Sequence, residues 1–496
     1  MTIFLTKYRL KLMNLWIPFS FLLLGCQTDT KGIDYSGNPH YSSEVEQSIE
    51  EVLNNLMIET SLSGIYETAG LEERMKYYNT PAVSIAVVNN GEIEWARAFG
   101  MANTEEGIEA DTNTLFQAAS ISKPIFSLVV MRLHEQGILD IDKDVNEYLT
   151  SYKVPKKGDW QPSLSFRQLL SHTAGLNVSG FDGYLRTEKI LSPIQLLNGE
   201  LNSNTPKVEV NGFPGTRFRY SGGGTVVAQV ALTDLLKKSL PQIMDEELFS
   251  HLGLENSTYA QPIPDTMEYK IATGYPYKKR AIVGKYHVYP EQAPAGLWTN
   301  PTELAKIMIE IQKGLKGGSS LFKKETLDEM LTPNKVADWI GIGFFIKSKN
   351  NDVITFSHGG WNEGYISEFR SYRKGGKGVV VMINSNEGQP IINEIVNSVA
   401  KVYEWEEHFP KVYDYKGVDS IAAKNITGNY VNEKDTIAIS FNDAKLFMKY
   451  QNQNDLQLFK VENDMYKSKY LNFKIQFANG ELDFFQEGNE ISFEKI

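Results

Sequence analysis

Apolar residues at Ile49, Val52, Leu53 and Leu56 fall at i, i+3, i+4 and i+7, the spacing of one helix face. Ser43, with Glu46 three residues later, supplies a capping box that would start this helix. The period then changes. In "PAVSIAVVNNGEIEWARAFG" an apolar strand runs through Val88, Asn90-Gly91 makes a tight turn, and a second strand returns, which predicts a β-hairpin. From about residue 160 to 300 the pattern is helical and loop-rich. Strand patterns resume in "IGIGFFIKS", "ITFSHGG", "ISEFRSYRK" and "GVVVMINS", and "IINEIVNSVAKVYEW" has helical period. A sheet begun near residue 82 and resumed near residue 340 predicts one α/β domain with a helical domain inserted between its halves. After about residue 415, short alternating strands separated by "FNDAKL", Asn479-Gly480 and Gly488-Asn489 predict a separate antiparallel β domain, a sheet or small barrel, over 418–496.

Composition changes this picture little. The chain has 496 residues, 42% of them hydrophobic and 22% charged, which suits two or three globular domains. The N-terminus adds more. Lys7, Arg9 and Lys11 precede an apolar run too short to cross a bilayer, so residues 1–25 read as a signal peptide. The run ends in "LLGC", which resembles the bacterial lipobox, and Cys26 is the only cysteine in the chain. The resemblance implies lipidation at Cys26, and residues 27–41 then read as a polar tether. The expected location is the bacterial cell envelope, with a lipid anchor on the periplasmic or outer-membrane side. Removing residues 1–25 takes the formal net charge from −11 to −14, which argues against a nucleic-acid partner.

The chemistry begins at "FQAASISKPIFSLVVMRLHEQG", where Ser120 and Lys123 stand three apart at the start of an apolar helix. A serine hydroxyl is a poor nucleophile until a base takes its proton, and helical spacing puts Lys123 on the same face. An enclosed or cation-crowded site lowers a lysine's pKa enough for it to accept a proton, and the helix N-terminus offers N–H groups to an oxyanion. The seven histidines show no metal-ligand spacing. Asp140, Asp142 and Asp144 lack the glycine and glutamate of a calcium loop, and no glycine-rich loop has phosphate-binding spacing. No cofactor is therefore expected.

Two further motifs follow in order: Tyr220-Ser221-Gly222 in "FRYSGGGTVVAQ" and His358-Gly359-Gly360 in "FSHGGWNEGY". Together with Ser120-x-x-Lys123 they resemble the Ser-x-x-Lys, Tyr-x-Asn and Lys-Thr-Gly triads of the class C β-lactamase and serine penicillin-binding-protein family (peptidase S12 type). "LLSHTAGL", "HLGLENSTY" and "APAGLWTNPTELAKI" also look like segments of that family. The resemblance spans about residues 45–412. It implies an α/β fold of β-lactamase/transpeptidase type: an antiparallel sheet flanked by helices, with an inserted all-helical domain at about 160–300. Residues 418–496 resemble the lipocalin-like appendage of some relatives.

The resemblance implies roles position by position. Ser120 would be the acylated nucleophile, Lys123 its proton-accepting partner and Tyr220 the second base. The backbone N–H groups of Ser120 and Trp361 would form the oxyanion hole. His358, Gly359, Gly360 and Gly222 would line the substrate site, with His358 donating to Tyr220 or to a substrate carboxylate. Gly222 replaces the motif's asparagine and Gly359 its threonine. These losses favour an esterase, amidase or D-amino-acid peptidase over a β-lactamase or penicillin-binding DD-peptidase. A catalytically inactive peptidoglycan-sensing lipoprotein is the contrasting reading, and it has no need of Ser120, Lys123 and Tyr220 together. His172 reads as a structural hydrogen-bonding residue, Trp298 and Trp361 as candidate pocket walls, and residues 270–292 as loops that shape the pocket.

Overall fold

The computed structural model describes residues 38–496, apart from 58–60, 63–67, 406–411, 415–416, 434, 452, 454, 463–464, 469–472 and 487–488. The signal peptide, Cys26 and nearly all of the tether lie outside the described residues.

A seven-stranded antiparallel sheet carries the larger domain. Its strands are β1 (Ala82–Asn89), β2 (Glu92–Asn103), β3 (Ile108–Glu109), β4 (Phe345–Lys349), β5 (Asp352–Asn362), β6 (Tyr365–Tyr372) and β7 (Gly378–Ile383). Their spatial order is β4-β5-β6-β7-β1-β2-β3, so the two halves of the chain meet in the middle, where Val83 pairs with Ile383 and Val88 with Gly378. The hairpin turn falls at Asn90 and Gly91, both with positive φ. β1 is apolar almost throughout because both of its faces are covered. Val83, Ile85 and Val87 face α1 (Ser43–Asn54) and the late helix Gln389–Val402, whereas Ala82, Ala86 and Val88 join the core of the helical region.

The capping of α1 is shifted by one residue from the sequence expectation. Ser42 is the N-cap and accepts from Val45 N, while Glu46 accepts from Tyr41 N and pairs with Arg97 at 2.6 Å. Arg97, arriving from β2, gives Glu46 a charged partner in addition to that backbone N–H.

Between β3 and β4 the chain forms α2 (Ser122–Glu135), α3 (Gly222–Leu236), α4 (Pro301–Leu315) and several shorter helices, with long loops between them. The late helix, α5 (Gln389–Val402), closes the domain. Eight described strands then form a closed antiparallel barrel, sealed where Tyr430 pairs with Lys495. Ile437, Ile439, Leu446, Met448, Leu458 and Leu482 fill its interior. The barrel and the β-lactamase-type sheet agree with the expected fold class.

Candidate active site

Ser120 sits in a short turn, Ala119–Ile121, that leads directly into α2. Ala119 has φ +49, a left-handed conformation that costs a residue with a Cβ about 1–2 kcal/mol and lifts the serine out of the helix line. The turn is braced from three sides. Ser122 Oγ donates to Ala119 O at 2.5 Å and accepts from Leu297 N at 3.0 Å, and Tyr259 OH donates to Ser122 O at 2.6 Å.

One helical step on, Lys123 is buried, with Nζ 2.9 Å from Ser120 Oγ and 2.9 Å from Pro294 O. It lies 5.0 Å from the centre of the Tyr220 ring. Among the described residues, no carboxylate forms a salt bridge with it, so its amino group is held by oxygen lone pairs and a ring face.

Tyr220 comes from the other side, immediately before α3. Ser221 caps that helix, its Oγ accepting from Gly224 N at 3.0 Å and donating to Asn177 O at 2.7 Å. Gly222 follows in close contact with the 177–183 loop. A Cβ on it would lie 2.6 Å from Phe181 Cε2 and 3.0 Å from Ser179 O. The volume an asparagine would need is therefore occupied by Phe181.

β5 closes the third side. A Cβ on Gly360 would lie 2.2 Å from Ala118 O and 2.5 Å from Ser367 Oγ, so only glycine lets the strand approach the Ser120 turn this closely. Asn362 ties the strand across the site, its side-chain amide donating to Gln117 Oε1 at 2.8 Å and to Ala295 O at 3.1 Å.

His358 departs from expectation. Its ring is buried, its Nδ1 lies 2.6 Å from Gly359 O, and its Nε2 has no hydrogen-bond partner. Burial, and then the nearby Lys123 charge, push its pKa down to about 3. A neutral ring that donates from Nδ1 to a carbonyl presents Nε2 as an acceptor. His358 therefore does not donate to Tyr220 or to a substrate carboxylate. It offers a lone pair.

Ser120, Tyr220, His358, Gly359, Gly360 and Trp361 line one cavity of about 520 Å³. Sequence reasoning missed its other walls, among them Phe345, Glu368, Gln389 and Asn393, because sheet and helix packing bring them there from separate segments. Trp361 is 69% exposed at the mouth, but Trp298 is fully buried and edge-on to Tyr286 and Tyr365, a core residue and no pocket wall. Residues 270–292 contribute nothing to the lining; the sheet edge and α5 shape it instead. His172 is buried against Tyr220, with ring centres 4.3 Å apart.

A half-buried serine beside a buried lysine, with a tyrosine and a narrow strand approach, is the arrangement of a serine hydrolase. A sequence profile of the β-lactamase family matches residues 69–396, and the chain belongs to that family. It is similar to penicillin-binding protein 4* of Bacillus subtilis (strain 168), 22% identical over 85% of this chain and 94% of that protein. It is also similar to esterase EstB of Burkholderia gladioli, 26% identical over 49% of this chain and 62% of the esterase. The chain spans 64% of the length of protein flp of Staphylococcus aureus (strain MW2), at 23% identity. In fold it resembles D-amino acid amidase from Ochrobactrum anthropi SV3, with TM-score 0.56 and 17% identity over 74% of this chain and all of the amidase.

Proposed function

We propose that this chain hydrolyses an ester or amide through an acyl-enzyme on Ser120. The observation that carries the reading is the 2.9 Å contact between Lys123 Nζ and Ser120 Oγ at the base of the cavity that Tyr220 and His358 also line. Ser120 Oγ attacks the carbonyl carbon while its proton passes to the free amine of Lys123 or to a Tyr220 phenolate. The backbone N–H groups of Ser120 and Trp361 receive the oxyanion, each such donor contributing about 3 kcal/mol. Tyr220 then returns the proton to the leaving alkoxide or amine, and water repeats the sequence to free the acid.

The substrate is an ester, an amide or a D-amino-acid peptide lacking the acylamino group of penicillins. Phe181 fills the space in which an asparagine at position 222 would meet that group, and position 359 has no hydroxyl. The named activities of EstB and of the D-amino acid amidase support the ester and amide alternatives. The likeness to penicillin-binding protein 4* supports slow acylation by penicillin as the second reading.

Intact-protein mass spectrometry of residues 27–496, after incubation with penicillin and separately with p-nitrophenyl acetate, separates the readings. Rapid ester turnover without a penicillin adduct is the expected result. A persistent penicillin adduct on Ser120 points to the second reading. Ser120→Ala abolishes labelling by a fluorophosphonate, and unchanged labelling would sink the assignment.

We also propose that Cys26 anchors the enzyme to the bacterial envelope, on the strength of the "LLGC" sequence. Cys26→Ser should move the protein from the membrane fraction to the soluble fraction and abolish incorporation of labelled palmitate.

A further inference from the structure

His172 holds Tyr220 from three directions. Its carbonyl oxygen accepts from Arg219 N at 2.7 Å, and its Nδ1 accepts from Ser221 N at 3.2 Å, so the residues on both sides of the tyrosine are bonded to one histidine. Its ring lies against the tyrosine ring, 4.3 Å between centres and tilted by 39°. Phe218 supports the histidine edge-on at 5.9 Å. None of this is cheap for the backbone, because His172 has φ +57, the left-handed region that a residue with a Cβ adopts only where its surroundings enforce it.

The ring chemistry points the same way. An Nδ1 that accepts from a backbone N–H fixes the neutral tautomer with its proton on Nε2. Burial first, then Lys123 and His358, hold the His172 pKa well below its ordinary value, so the ring stays neutral beside Lys123. His172 Nε2 and His358 Nε2 are both buried without a hydrogen-bond partner, one a donor and the other an acceptor, and both rings flank Tyr220. The polar groups around the tyrosine are thus Lys123 from α2, His172 from the loop after the helix Phe166–Leu170, and His358 from β5.

We infer that His172 is a positioning residue for Tyr220: through its carbonyl, its Nδ1 and its ring face it sets where the tyrosine stands relative to Ser120 and Lys123. The inference rests on the role proposed above for Tyr220. It assigns a catalytic consequence to a side chain that sequence alone reads as structural.

The test compares the wild type with His172→Phe, His172→Asn and Tyr220→Phe. Each is assayed for p-nitrophenyl acetate turnover, with kcat expressed per Ser120 labelled to completion by a fluorophosphonate, and for thermal unfolding. Phenylalanine keeps a ring but loses the acceptor. Asparagine offers an oxygen to Ser221 N and tolerates positive φ. The expected result is that kcat per labelled site falls about 100-fold in His172→Phe with KM within about threefold, because a small misplacement of a catalytic group costs that much. His172→Asn should recover to within about tenfold of wild type.

A purely structural histidine would lower the melting temperature or the labelled fraction and leave kcat per labelled site unchanged. That result, or a loss in His172→Asn as large as in His172→Phe, overturns the inference. If His172→Phe does not fold, His172→Gly takes its place, since glycine accepts φ +57 freely. Tyr220→Phe separates the two levels of the argument. Wild-type turnover in Tyr220→Phe would overturn the role of Tyr220 itself, whereas an inactive Tyr220→Phe beside fully active His172 variants overturns only the role of His172.

Discussion

Gly360 passes so close to Ala118 that a single methyl group on its Cα would stand 2.2 Å from the Ala118 carbonyl oxygen. The gap between strand β5 and the Ser120 turn is therefore set by the absence of a side chain, and the distance from Trp361 to Ser120 depends on it.

Gly360→Ala should push the strand away from the turn and lower kcat/KM for p-nitrophenyl acetate about 100-fold, the usual cost of displacing a reacting group by roughly 1 Å. Stopped-flow acylation rates check this. A rate within threefold of wild type would show that the strand has slack.

His358 makes the folded protein sensitive to acid. Its pKa is about 3 in the folded protein, against an ordinary 6.5, so the unfolded chain takes up a proton that the native ring refuses. The stability contributed by the neutral ring is full above about pH 6.5 and is lost as pH falls toward 3. Urea unfolding at pH 7 and pH 4.5 should show a loss in the wild type that is smaller in His358→Asn. Equal losses would refute the assignment. His358 should also contribute no limb near pH 6.5 to the kcat/KM profile.

Glu291 works in the opposite direction. Both of its carboxyl oxygens are buried without a hydrogen-bond partner, and burial raises its pKa to about 8 from an ordinary 4.5. The protonated form is the one the fold accommodates, so the stability it lends is complete below about pH 4.5 and is lost as pH rises through about 8. Glu291→Gln, which stays neutral, should match the wild type at pH 5 and exceed it at pH 9 in denaturant midpoint. A wild-type midpoint that is flat from pH 5 to 9 would contradict this.

Gly222 and Phe181 compete for one volume. Gly222→Asn alone should lower the melting temperature and the ester turnover, since its Cβ meets the Phe181 ring at 2.6 Å. Adding Phe181→Ala should restore part of both, so that the two changes are non-additive. Additive losses would mean that the loop yields without involving Phe181.

The legible parts of this protein were those in which local spacing carries the geometry. Ser120 and Lys123 meet because they are one helical step apart, and β1 declared itself by an apolar run, broken only by Ser84, that suits a strand covered on both faces. Long-range packing stayed hidden. Whether His358 donates or accepts depends on Gly359 O and on complete burial, and neither leaves a mark on the residue type. Trp298 and Trp361 look alike in sequence, yet one is enclosed by Tyr286 and Tyr365 and the other stands at the cavity mouth. The Glu368, Gln389 and Asn393 walls come from β6 and α5, whose approach to the site is fixed by sheet order. The α1 cap falls at Ser42, while Glu46 is held by Arg97, a partner 51 residues away.

The central seam of the sheet also has a consequence in time. Because β1 pairs with β7, the strand that carries Val83 waits for the one that carries Ile383. Closing so long a loop delays the central pairing of the sheet. A ribosome that has released Ser120, Lys123 and Tyr220 has still not released the strand that brings Trp361 against them. The cavity shared by Ser120, Tyr220 and Trp361 is thus completed late in synthesis, when the two ends of the domain find each other.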